Sequence, residues 1–149
     1  MELAFAEDLA RADVCVFLPT RSRISYATGR KHLVREPLFF GYAFFAGGGE
    51  QVASALGTRR LAAVIPVVNQ GRLLDDLRRI QAAIAADPQL SSRQGMVPGR
   101  PCRVLDGPLM GLEGIVERPG PRSIVVVRID ILGQSVACDL PAESIEPID

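Results

Sequence analysis

The stretch RPCRVLDGPLMGLEGIVER, Arg100 to Arg118, decides how the second half of this chain is read. Its ends, with Cys102 and Val104 on one side and Ile115 and Val116 on the other, suit short strands. Between them Gly107, Pro108, Gly111 and Gly114 concentrate turn chemistry in eight residues. Glycine and proline at that density predict a tight connection between two strands. Leu109 and Leu112 are apolar residues within that turn. They either fold back to plug one end of the structure or stay outside as contact residues.

The pattern continues downstream. SIVVVRIDIL, from Ser123, alternates: Val125, Val127, Ile129 and Ile131 face one way, and Val126, Arg128 and Asp130 face the other. SVACDLP sets Val136, Cys138 and Leu140 on one face. Four or five strands in about 50 residues predict a small closed barrel, because closure removes exposed edges. Upstream of it, DPQLSSRQGMVPG (Asp87 to Gly99) is rich in Pro, Ser, Gln and Gly and reads as a linker. The expected division is a first domain at 1–87, a linker at 88–99 and a barrel at 100–149.

The first part reads helix, strand, strand, helix, strand, helix. ELAFAEDLARA places Leu3, Ala6, Leu9 and Ala10 on one helical face. VCVFLP reads as a strand ended by Pro19. TRSRISYATGRKHLVRE reads as a long loop or hairpin tip. LFFGYAFFA (Leu38 to Ala46) predicts a strand closed by Gly47, Gly48 and Gly49. EQVASAL predicts a short helix and RLAAVIPVV a third strand. GRLLDDLRRIQAAIAAD predicts a helix with Leu73, Leu77, Ile80 and Ile84 inward, stopped by Pro88.

The totals exclude several classes. The 17 basic and 17 acidic side chains cancel, so no global charge draws the chain to nucleic acid or lipid. The balance is uneven: residues 1–87 carry 11 basic and 9 acidic groups, and residues 88–149 carry 6 and 8. Lys31 is the only lysine, a ratio that base composition explains. Cys15, Cys102 and Cys138 have no CxxC spacing and suggest neither disulfides nor zinc. The acidic amino terminus is not a signal peptide, and LAAVIPVV is too short to span a bilayer. The expectation is a soluble cytoplasmic protein without membrane contact. HExxH, GxSxG and Walker patterns are absent, and His32 is the sole histidine. No metal, cofactor or enzymatic activity is expected.

RPCRVLDGPLMGLEGIVER resembles the KOW motif, a glycine-centred turn between two strands of an SH3-like barrel. VFLPT, a basic stretch and EPLFFGYAFF resemble the amino-terminal (NGN) domain of NusG-type transcription factors. Both motifs stand in the family's order, and the resemblance covers nearly the whole chain. It implies an α+β fold: an NGN-type antiparallel sheet with flanking helices, a linker and an SH3-like KOW barrel. Two departures stand out. The family has a strand before the first helix, whereas this chain begins at that helix, which implies a late start or a trimmed form. Phe40 stands where the family has proline.

The resemblance implies a transcription elongation or antitermination factor. It would bind bacterial RNA polymerase at the clamp helices of the largest subunit through Phe39, Phe40 and Tyr42. Arg21, Arg23, Arg30, Lys31 and Arg35 would meet phosphates of non-template or upstream DNA. The barrel would recruit Rho or a small-subunit ribosomal protein through Leu109, Leu112 and Leu132. One branch of the family refolds its barrel into a helical hairpin. No such switch is expected here, because Ile124 to Ile131 is β-branched and Pro119-Gly120-Pro121 breaks a helix. The competing reading is a KOW-containing RNA-binding or ribosome-associated protein, which calls for a basic barrel.

Overall fold

Among the described residues the chain forms a helix, four strands, two helices and six further strands, with one short 3-10 turn at Ala142–Ser144 before the last strand. The computed structural model describes residues 1–94, 98–131 and 134–148. They group into two compact units: Met1–Thr20 with Pro37–Val68, and Arg21–Glu36 with Asn69–Asp149. The fold is α+β, as expected.

In the first unit, α1 (Glu2–Arg11) carries Glu2 in its first turn and Arg11 in its last, complementing the helix dipole. Its Phe5 and Leu9 are buried with Val14 and with Ala55 of α2 (Gly49–Gly57). Val16, Ala43, Phe45 and Leu61 pack around them. Each fully buried side chain of this size contributes about 1.5–3 kcal/mol. β1 (Cys15–Phe17) pairs antiparallel with β4 (Phe44–Ala46), Val16 opposite Phe45.

Two expected strands are cut short or missing here. LFFGYAFFA forms a strand only at its last three residues, because the backbone turns between Phe39 and Tyr42. RLAAVIPVV forms none. Pro66 offers no ladder donor, and Ile65, Val67 and Val68 are exposed.

In the second unit, β2 (Thr20–Ala27) and β3 (Arg30–Pro37) form a two-stranded hairpin, resolving the basic stretch that read as loop or hairpin. Thr28 (φ 54°) and Gly29 (φ 75°) are both left-handed, the geometry of a two-residue type I′ turn. α3 (Gln70–Ala86) starts where the Asn69 side chain accepts the Arg72 N–H at 3.1 Å. It ends before Pro88 and packs against the strand Arg122–Ile131 with Leu77, Ile80 and Ala83 buried.

The carboxy-terminal strands are β5 (Ser91–Gln94), β6 (Arg100–Val104), β7 (Glu113–Arg118), β8 (Arg122–Ile131), β9 (Gln134–Pro141) and β10 (Ile145–Pro147). They make one antiparallel sheet in the order β10-β6-β7-β8-β9-β5. The expected closed barrel is therefore barrel-like but open, ending at β10 and β5. The stretch read as a linker supplies β5, with Ser92 opposite Val136. Inside lie Cys102, Val104, Val125, Val127, Val136 and Cys138. Val126 and Ala137, on the opposite face, are buried as well, so the expected alternation of inside and outside fails along the middle of β8 and β9. Gly114 is required by close approach: a Cβ there would stand 2.6 Å from the Val126 carbonyl oxygen.

Candidate protein and nucleic-acid interfaces

The aromatic segment begins at Leu38, whose N–H donates to the Pro19 carbonyl at 2.8 Å. Leu38 and Phe39 are buried, and the Phe39 ring meets Phe44 edge-on with centroids 6.5 Å apart. Tyr42 N–H then donates to the Phe39 carbonyl at 3.2 Å, closing a turn that Gly41 permits with φ 83°. Gly41 N–H reaches the Glu2 carboxylate at 3.3 Å, which ties this turn to the start of α1.

The result separates neighbours in sequence. Phe39 is 2 % exposed, whereas Phe40 is 63 % exposed and Tyr42 also faces solvent. Phe39 thus anchors the turn that presents the other two. Met1 and Leu3, on the first turn of α1, are exposed apolar residues of the same unit. The sequence set Leu3 on one face with Leu9 and Ala10, but the buried face of α1 is that of Phe5 and Leu9, which leaves Leu3 and Ala10 exposed.

The basic segment is likewise divided. Arg21 donates from Nη1 to Glu36 at 2.6 Å, from Nε to the Leu90 carbonyl at 2.7 Å and from Nη2 to the Gln89 carbonyl at 3.0 Å. Arg23 donates from Nε to the other Glu36 oxygen at 3.0 Å. Ser22 N–H adds a bond to the Pro88 carbonyl at 2.7 Å. Arg21 is therefore spent on bracketing the hairpin base to residues 88–90. Burial raises the Glu36 pKa, but the hydrogen bonds and charges of Arg23 and Arg21 outweigh it and hold the carboxyl below its ordinary value.

Arg30, Lys31 and His32 stand exposed at the other end of the hairpin, and Arg35 is exposed on β3. Arg30 and Lys31 form no ion pair among the described residues.

On the barrel turn, Leu109 takes the first of its two expected courses and folds inward, 3 % exposed. It lines a groove of about 170 Å³ with Ala83, Ala86, Val104 and Leu140. Leu112 is half-buried. Leu132 lies outside the described residues. The exposed apolar side chains beside this turn are Leu105 and Met110, the latter 63 % exposed. Neither was singled out from sequence, although Met110 lies within the same PLMGL run.

Three of the barrel's arginines are met by acids, while Arg100 and Arg118 are exposed. Arg93 pairs with Glu117 at 3.2 Å, Arg122 with Asp139 at 3.0 Å, and Arg103 with Glu113 and Glu146 at 3.4 Å each. Burial pushes the Cys138 thiol up to about 12 and raises Cys102 as well, which favours the protonated thiol in both. Among the described residues no group of three His, Cys, Asp or Glu could hold a metal ion. No helix among them is long and apolar enough to cross a membrane.

No protein-family model matches the sequence, and no curated protein does. A solved structure described as "Domain interaction in Thermotoga maritima NusG" is similar at a TM-score of 0.64 and 19 % identity, over 99 % of this chain and 91 % of that one. The aromatic turn, the basic hairpin and the barrel turn are therefore carried on a NusG-like fold.

Proposed function

We propose that this chain is a NusG-like transcription elongation or antitermination factor that works by binding alone. The observation that carries the reading is the turn at Phe39–Tyr42. A buried Phe39 supports it from behind, and Phe40 and Tyr42 stand out in solvent. Exposed aromatics on a rigid support are the usual hot spots of a protein interface. The partner is bacterial RNA polymerase, gripped at the clamp helices of its largest subunit. Bridging the clamp would hold the polymerase closed and suppress pausing. At the basic hairpin the exposed cations Arg30 and Lys31 would meet DNA phosphates, with Arg35 on the same strand and Arg23 held to Glu36 nearer the base. Arg21 serves the hairpin base instead.

The barrel is the site for a second protein, Rho or a small-subunit ribosomal protein. Its arginines Arg93, Arg103 and Arg122 are neutralised by neighbouring acids. That pairing, with 6 basic against 8 acidic groups over residues 88–149, weighs against the alternative of an RNA-binding barrel, which calls for a basic surface. Met110, Leu105 and Leu112 supply apolar contacts at the turn, with Leu109 as the packing residue beneath.

The test is co-purification with bacterial core RNA polymerase, wild type beside a Phe40→Ala/Tyr42→Ala double variant. Retention of the wild type with at least tenfold loss in the double variant is the expected result. A wild type that passes through unbound refutes the polymerase reading. A double variant retained as well as wild type refutes this site.

A further inference from the structure

The β2–β3 hairpin holds two exposed side chains that its phosphate-binding role does not require. Tyr26 is 76 % exposed and Leu33 is 68 % exposed. Both are large apolar groups on a two-stranded ribbon where lysine or threonine would cost nothing.

Their placement follows from the turn. With Thr28 and Gly29 as its two residues, Ala27 stands opposite Arg30. Counting back, Tyr26 stands opposite Lys31, Ile24 opposite Leu33 and Arg21 opposite Glu36. The last pairing agrees with the 2.6 Å bond between those two side chains. Residues directly opposite share a face. One face of the ribbon therefore carries Tyr26, Ile24 and Leu33 together with Lys31 and Arg35. The other carries Arg30 and His32 near the tip, and Arg21, Arg23 and Glu36 at the base.

From Tyr26 to Arg35 this half of the hairpin has Arg30, Lys31 and Arg35 and no acid. An aromatic ring in solvent, a neighbouring aliphatic surface and cations at its side complement an unpaired base and its phosphates. A duplex buries its base faces by stacking and offers such a ring only backbone.

We infer that this face of the hairpin is a stacking platform for single-stranded nucleic acid, with Tyr26 beneath a base, Leu33 at its edge and Lys31 on the adjoining phosphate. The inference rests on the nucleic-acid reading of the basic hairpin and deepens it from phosphate contact to base contact. Base–aromatic stacking tolerates any sequence, because every base has a π-face. The platform sits on a hairpin whose base is bracketed by Arg21 and Glu36, so the ring is presented on a fixed support.

The full chain would be titrated into fluorescein-labelled (dT)12, the matching (rU)12 and a 12-base-pair duplex at low salt, read by anisotropy. Tyr26→Ala is expected to weaken (dT)12 binding about tenfold, while Tyr26→Phe keeps wild-type affinity. Duplex binding should be weaker than (dT)12 binding and unaffected by Tyr26→Ala. The chain has no tryptophan, so Tyr26→Trp adds a direct probe whose emission should be quenched by (dT)12. A preference for (rU)12 or (dT)12 identifies the strand chemistry and supports the platform either way.

Tyr26→Ala binding as wild type, with Arg30→Gln and Lys31→Gln both weakened, leaves a phosphate-only site and overturns the stacking inference alone. Wild type that binds none of the three probes overturns the nucleic-acid reading itself. Tyr26→Ala that binds (dT)12 normally but loses polymerase retention makes the ring a protein anchor, which also overturns the platform. Tyr26 is exposed, so its replacement leaves the core intact, and a circular dichroism melt verifies this.

Discussion

Phe39 and Phe40 are adjacent and chemically identical, yet the fold buries one and exposes the other, and the proposed function gives them opposite tasks. Phe39 is 2 % exposed and stacks edge-on against Phe44; Phe40 is 63 % exposed. Truncating a buried phenylalanine to alanine costs about 3–5 kcal/mol through lost transfer energy and the cavity left behind. In a chain of this size each kcal/mol moves Tm by about 2–4 °C, so Phe39→Ala should lower Tm by about 6–20 °C. Phe40→Ala removes a ring already in water and should change stability by no more than about 0.5 kcal/mol. Its cost should appear on binding, as an affinity for core polymerase about 10- to 30-fold weaker. The assay is a thermal melt of each variant followed by binding at a temperature where both are folded. If Phe39→Ala melts within about 2 °C of wild type, the ring is not a core element and the assignment of support and contact is wrong. The same holds if Phe40→Ala lowers Tm as far as Phe39→Ala does.

Two further outcomes follow from the titratable groups. Glu36 has its folded pKa lowered by Arg23 and Arg21, so its stabilising contribution is fully present above the ordinary carboxylate range and is lost as pH falls through the folded value. Glu36→Gln should therefore lower Tm at pH 7 and flatten its decline in acid; an acid limb as steep as that of wild type would refute the bracket. Of the three cysteines, Cys15 is exposed while Cys102 and Cys138 are buried with raised pKa, so a thiol reagent at pH 8 should modify one site in the folded chain and all three in denaturant. Rapid modification of Cys138 in the native protein, mapped by mass spectrometry, would contradict the packing of the barrel interior.

The barrel strands were legible because their cause is local: β-branched runs broken by Gly and Pro leave few alternatives. Gly107, Gly111 and Gly114 marked the β6–β7 turn for the same reason. What the sequence hid was tertiary. Val126 reads as an outward residue by period, yet it is buried beside Ala137, and no strand pattern reveals that both faces are covered. Ser91–Gln94 reads as linker because Ser and Gln have no strand signature; the open edge of β9 makes it a strand. RLAAVIPVV shows the converse, a β-rich composition that finds no partner and stays irregular. In the aromatic segment, one continuous strand was expected where Gly41 turns the backbone, so the sequence did not show that Phe39 supports a turn and Phe40 is exposed on it.

The basic segment shows how a single acid sorts a run of cations that composition treats as equivalent. On a hairpin with a two-residue turn, each step back along one strand matches one step forward along the other. Once Thr28 and Gly29 form the turn, Glu36 must stand opposite Arg21, and Arg23 lies on the same face two residues along. A bidentate carboxylate can satisfy both, and does, so these arginines are drawn to the base of the ribbon. Arg30 and Lys31 lie beyond its reach and stay exposed. The same arithmetic sets Tyr26 and Leu33 on one face. Had the turn held one residue more, the pairing of Arg21 with Glu36 would be lost and the apolar pair would be split between faces. The single bond between Arg21 and Glu36 thus fixes the register on which the presentation of the hairpin's exposed cations and its exposed ring both depend.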